Sequence, residues 1–263
     1  MKIRGKTVLL TGATGGLGRA IAAALANGGA RLILSSRTAD ELAELAASLP
    51  GEHRVAVADL ALEGSAERLC AKAPGVDVLV ANAGLPGSGR LEKFTSDELT
   101  RALRVNLEAP IKMARELGPA MRERGGGHLV FISSLAGKAA SPRSSVYSAT
   151  KFGLRGFALS LREDFHGTGV GVSLVMPGFI RDAGMFADSK ATAPFVGTAT
   201  PNDVGKAVVR AIERDRGVVE VAPRRQRIAA GIAHRHPQLA ARLVRRRAGN
   251  VADQVAEGQT DKR

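Results

Sequence analysis

Thr7-Val8-Leu9-Leu10-Thr11-Gly12-Ala13-Thr14-Gly15-Gly16-Leu17-Gly18 passes from a short apolar run into a cluster of glycines. Arg19 to Asn27 continues with Ala, Ile and Leu at helical spacing and stops at Gly28-Gly29. Strand, glycine loop, helix is the context that a phosphate-binding turn requires. Glycine has no Cβ, so the backbone can approach a pyrophosphate closely, and the start of the helix offers free N–H groups and the positive end of its dipole. The spacing is Gly-x-x-x-Gly-x-Gly, not the commoner Gly-x-Gly-x-x-Gly. Such a turn can also serve only helix–strand packing. The flanking pattern favours a bound dinucleotide, with Gly12, Thr14, Gly16, Leu17 and Gly18 as contacts.

The same alternation recurs downstream. Arg31–Ser35, Arg54–Ala58, Asp77–Val80, His128–Ile132, Val170–Val175 and Gly217–Val221 read as further strands, separated by stretches with helical periodicity. This order predicts parallel βαβ units, hence an α/β fold rather than a sandwich. Where the second strand ends, Ser36-Arg37 stands in place of an acid. An acid there would bind the 2′-hydroxyl of NAD, whereas an arginine pairs with the 2′-phosphate of NADP, so NADP is favoured over NAD.

Further along, Asp59-Leu60 closes the third strand, and Asn82-Ala83-Gly84 forms a small-residue turn suited to packing against a flat cofactor. Ser96 is expected to open a long helix through Leu99, Leu103, Val105, Met113, Leu117 and Met121, broken near Glu108–Pro110 by the proline. Asn106 sits in an apolar part of it and needs partners. Ser133-Ser134 stands at the carboxyl end of the fifth strand, where ligands bind in open α/β sheets. Tyr147, the only tyrosine, and Lys151 lie one helical turn apart on one face. A cation so placed is expected to lower the phenol's pKa and let it act as an acid or base.

The chain has 263 residues, 44% hydrophobic and 24% charged, enough for one sizeable domain. A single cysteine, Cys70, excludes an internal disulfide and falls on the apolar side of a short helix, so a buried structural thiol is expected. No signal-peptide pattern or long apolar window stands out, which makes cytoplasmic the default expectation. Residues 179–200 lack a period and carry Met185, Phe186, Phe195 and Val196, as a lid over a substrate would.

Taken together, the chain resembles the short-chain dehydrogenase/reductase family over roughly residues 5–222. The motifs that carry the resemblance, in order, are Thr11-Gly12-x-x-x-Gly16-x-Gly18, Asp59-Leu60, Asn82-Ala83-Gly84, Asn106, Ser134, Tyr147-x-x-x-Lys151 and Pro177-Gly178. The resemblance implies a Rossmann fold, a doubly wound parallel sheet of seven strands in the order 3-2-1-4-5-6-7. It implies hydride transfer between a nicotinamide and a carbonyl/alcohol pair, with Tyr147 moving the proton and Ser134 binding the substrate oxygen. By the same resemblance Lys151 holds the nicotinamide ribose and Asn106 holds a relay water. Pro177, Gly178 and Ile180 fall to the cofactor, and association into a homo-oligomer is implied. The family usually has a threonine shortly after Pro-Gly; Asp182 stands there instead. An idle, dinucleotide-sensing or docking protein on the same fold is the alternative, and the intact Ser134/Tyr147/Lys151 set speaks against it.

The net charge of +13 is concentrated near the end. Residues 224–247 hold eight arginines and no acid, which leaves +5 to the rest of the chain. The expected division is therefore a catalytic domain over 1–223 and a basic amphipathic extension over 224–263, whose last residues are expected to be disordered. Packing on the domain or a sister subunit is the first reading of the extension and peripheral contact with an anionic membrane the second. Nucleic acid is not expected, since no aromatics interleave the arginines. His234 and His236 lack further ligands, so no metal is expected.

Overall fold

The computed structural model describes residues 1–182, 187 and 197–247, of which 243–247 only in their main chain. The lid residues Met185, Phe186, Phe195 and Val196, and the final stretch 248–263, lie outside the described residues. Seven strands form one sheet: β1 (Thr7–Thr11), β2 (Arg31–Ser36), β3 (Arg54–Val57), β4 (Val78–Ala81), β5 (Gly127–Ile132), β6 (Val170–Pro177) and β7 (Val218–Val221). Every pairing is parallel and the order is 3-2-1-4-5-6-7. The order reverses between β1 and β4, so a crevice opens at their carboxyl ends.

Alternate strand residues feed two cores. Val8, Leu10, Leu32, Leu34, Val80 and Val130 face α1 (Gly16–Asn27), α2 (Ala39–Ser48) and α7 (Pro201–Glu213). Leu9, Ile33, Leu79, Leu129 and Phe131 face α3 (Ser65–Ala71), α5 (Ala109–Glu123) and α6 (Ser145–Asp164). The strands are apolar on both faces because helices cover both. Cys70 packs in the second core, where burial pushes its thiol up to about 12, so it is an inert structural thiol.

The segment expected as one interrupted helix begins as α4 (Ser96–Leu103), and the cap is Thr95 rather than Ser96. Thr95 and Glu98 form a reciprocal capping box. A wide π turn, Arg104–Glu108, follows, and α5 starts with Pro110 in its first turn, where proline costs no hydrogen bond. Just ahead of this turn Ala102 is buried while Leu103 is 44% exposed. Beyond β7, α8 (Arg224–Arg235) and α9 (Pro237–Arg247) pack on each other, and Ala230 of α8 joins the second core. Among the described residues no helix is long and apolar enough to cross a membrane.

Candidate active site

The turn between β1 and α1 has the shape its glycines suggest. Gly12 has φ +63°, and a Cβ on it would lie 2.8 Å from the Ala83 Cα. A Cβ on Gly18 would overlap the Gly12 carbonyl oxygen and stand 2.7 Å from that of Ala13. Only glycine fits either place. The first turn of α1 carries no acid and no side-chain cap, so its N–H groups are left for an anion. Gly15 and Gly16 are exposed at this turn, and Thr14 lends its carbonyl to Arg19 Nε at 3.0 Å. This cradle fits a pyrophosphate.

One residue of this region carries more than the sequence reading gave it. Thr11 Oγ1 accepts the N–H groups of Asn82 and Ala83, both at 3.1 Å. The Asn82 amide returns the contact, donating to the carbonyls of Thr11 and Gly12 at 3.1 Å. Asn82-Ala83-Gly84 is thereby welded to the glycine turn. A threonine at a strand end with a small-residue turn on the neighbouring strand is the signal that could have found it. Nearby, Asp59 Oδ1 accepts the Ala61 N–H at 2.9 Å and fixes the turn that buries Leu60. Arg37 is exposed just beyond the half-buried Ser36.

Ser134, Tyr147, Lys151 and Asn106 come together at the carboxyl end of β5. Ser134 follows that strand in extended conformation, its Oγ accepts the Ala136 N–H at 3.1 Å, and it hydrogen-bonds the Tyr147 hydroxyl. Tyr147 stands in the first turn of α6, where its N–H donates to the Gly87 carbonyl at 3.2 Å. Lys151, one turn on and 4% exposed, places Nζ 5.6 Å from the Tyr147 ring centre and donates to the Ile132 carbonyl at 3.1 Å. Ser133 is distinct in role: its hydroxyl donates to the Lys151 carbonyl at 3.2 Å and braces the helix from below.

The electrostatics correct one expectation. Burial pushes the Tyr147 phenol up to about 12, against a smaller downward pull from its Ser134 hydrogen bond. Burial also takes Lys151 down to about 8. The expected lowering of the phenol by Lys151 does not occur: the ammonium donates to the Ile132 carbonyl, and the pull that opposes burial comes from Ser134.

Asn106, fully buried in the π turn, was expected to hold a relay water. Its Oδ1 accepts the Leu85 N–H at 2.7 Å, and its Nδ2 donates to the Leu85 carbonyl at 2.9 Å and to Thr150 Oγ1 at 3.4 Å. Both amide protons are thus taken by protein, and the residue links the 84–90 loop to α6. At the end of β6, Pro177 and Ile180 are buried and Gly178 is half-buried, while the exposed Asp182 has φ +67° and an ion pair with Arg181 at 3.4 Å. Among the described residues no group of three His, Cys, Asp or Glu side chains could hold a metal ion.

Comparison with known proteins agrees with this geometry. The family model for short chain dehydrogenases matches residues 6–194. The ketoacyl reductase HetN of Nostoc sp. is 38% identical over 219 residues, 80% of this chain and 76% of that protein. A 3-oxoacyl-(acyl-carrier-protein) reductase from Agrobacterium tumefaciens, solved with NADP bound, superposes with a TM-score of 0.76 at 26% identity, covering 83% of this chain and 93% of that one. A metagenomic short-chain oxidoreductase in complex with NADP gives 0.69 at 30% identity, over 85% and 98% of the two chains. With its parallel sheet, its glycine cradle and this likeness, the chain belongs to the short-chain dehydrogenase family and is an oxidoreductase that works with a nicotinamide dinucleotide.

Proposed function

We propose that the chain is an NADP(H)-dependent enzyme interconverting a carbonyl and a secondary alcohol, with Tyr147 as the acid/base. The observation that carries this reading is the convergence of the Ser134 and Tyr147 hydroxyls beside a buried Lys151. Gly12, Thr14, Gly16, Leu17 and Gly18 would hold the pyrophosphate; Asp59, Leu60, Asn82, Ala83 and Gly84 would border the adenosine side and the cofactor's flank. Pro177, Gly178, Ile180 and Lys151 would border the nicotinamide and its ribose. Ser36 and Arg37 would take the 2′-phosphate, since no acid stands there to repel it. When bound, the nicotinamide supplies or accepts the hydride.

The chain's own residues handle the proton. As negative charge builds on the substrate oxygen, two converging hydroxyls meet it. With its pKa pushed up to about 12 the phenol is neutral at pH 7, the form that can donate a proton to a carbonyl oxygen. Lys151, near 8, stays mostly protonated at pH 7, and its Nζ, 5.6 Å from the Tyr147 ring centre, would steady the phenolate that donation leaves. The test is NADPH oxidation against a panel of carbonyl compounds, ketoacyl compounds first because relatives bear that name. Tyr147→Phe is expected to abolish turnover and spare NADPH binding; retained turnover refutes the assignment, and binding without any turnover favours a sensor.

Two surfaces support proposals about assembly. Leu103 on α4 and Phe152 and Leu159 on the adjoining α6 are exposed, as a homo-oligomer interface would require. On α8, Ile228 and Ile232 lie on the face away from the buried Gln226 and Ala230, among Arg224, Arg225 and Arg235. That pattern suits peripheral contact with an anionic membrane. Sedimentation of the full chain and its flotation with anionic against neutral vesicles test the two; a monomer refutes the first and equal flotation the second.

A further inference from the structure

One contact at the end of β6 has no part in the reaction as proposed. Gln226, in the first turn of α8, is 6% exposed. Its Oε1 accepts the Phe179 N–H at 3.1 Å, and its Nε2 donates to the Gly197 carbonyl. A Cβ on Gly178 would overlap that same Oε1, so the amide lies directly on the Pro177-Gly178 turn. The two stretches it joins also pair with each other: the Ala199 N–H donates to the Phe179 carbonyl at 2.9 Å and the Arg181 N–H to the Ala199 carbonyl at 3.0 Å. One side chain from the basic extension therefore ties both stems of the segment that follows β6.

We propose that Gln226 is a positioning residue of the active site, holding Gly178–Ile180 in place beside the nicotinamide and the carbonyl compound, so that α8 completes the site. The inference rests on the oxidoreductase reading above. An apolar residue of similar size would fill the same space but remove the bonds that Gln226 makes to the Phe179 N–H and the Gly197 carbonyl, which separates a tie from mere packing. Gln226→Glu separates the two ties: it keeps an acceptor for Phe179 and places a second oxygen against the Gly197 carbonyl.

The experiment measures hydrogen–deuterium exchange and kinetics on the full chain, wild type against Gln226→Leu and Gln226→Glu. In Gln226→Leu the Phe179 amide is expected to exchange about fivefold to tenfold faster, the worth of one hydrogen bond, while Gln226→Glu keeps its protection. KM for NADPH or for the carbonyl compound is expected to rise about fivefold in Gln226→Leu, with kcat within about threefold and Gln226→Glu in between. If Gln226→Leu does not fold, the Gln226→Glu arm decides: a KM within twofold of wild type overturns the proposal. Unchanged Phe179 exchange in Gln226→Leu, with an active wild type, overturns it too. A wild type that neither binds NADPH nor turns over, yet shows the exchange difference, refutes the oxidoreductase reading instead.

Discussion

Asn106→Ala is the substitution whose cost can be worked most directly from the geometry. The wild-type amide satisfies both main-chain groups of Leu85, at 2.7 and 2.9 Å, and touches Thr150 Oγ1 at 3.4 Å, all at a position with no exposed surface. Alanine leaves the Leu85 N–H and C=O unpaired, at about 1–3 kcal/mol each if the space stays dry. Water entering the hole offsets part of that, so a loss of about 2–4 kcal/mol is expected. For a domain of this size that corresponds to a Tm lower by roughly 5–12 °C. Activity should fall as well, because the loop that Leu85 begins carries Gly87, whose carbonyl accepts the Tyr147 N–H at 3.2 Å. A displacement near 1 Å of a reacting group costs about 100-fold. Thermal melting followed by circular dichroism and NADPH-linked turnover at saturating substrate measure both effects. A Tm within 2 °C of wild type and kcat within twofold would refute the reasoning, showing that Leu85 finds other partners.

Two further substitutions address the cofactor and the pH response. Arg37→Asp is expected to raise KM for NADPH about 10- to 100-fold, the worth of a lost charged hydrogen bond, with NADH little affected; an unchanged ratio removes Arg37 from the site. His128 is 2% exposed on β5, its Nε2 2.8 Å from Ser173 Oγ, and burial takes it from 6.5 down to about 4. Between those values the unfolded chain binds a proton that the folded chain refuses, so stability is full above pH 6.5 and is lost by about 3 kcal/mol as pH falls to 4. Urea unfolding of His128→Gln should show a flatter profile across that window; parallel profiles would exclude His128 as the cause.

Much of the fold was legible because the features that set it are local. A strand covered on both faces must be apolar throughout, and a turn that clasps a phosphate must use glycine, so β1, its turn and α1 can be read directly. The strand order came from the resemblance, and the pairings agree with it. What escaped depends on geometry that periodicity does not encode. The π turn interrupts the single period read from Leu99 to Met121, and Leu103, read as part of that apolar stripe, is 44% exposed. Thr95 outcompeted Ser96 as cap because Glu98 lies at the spacing a capping box needs. The sign of the Tyr147 shift turned on burial, which the Tyr-x-x-x-Lys spacing cannot report. Gln226 was hidden because both its partners are main-chain groups, 47 and 29 residues away.

The π turn also bears on how this chain can change length. Each residue of an α-helix contributes about 100° of rotation and 1.5 Å of rise. The π turn takes up one residue more than an α turn, so deleting one residue from 104–108 would leave a regular helix and keep Met113, Leu117 and Met121 on the sheet. A deletion at Ala114, inside α5, has no such slack and would turn Leu117 and Met121 by about 100° off the sheet. The surplus residue therefore serves Asn106 and its bonds to Leu85, and the core behind it is indifferent to its loss.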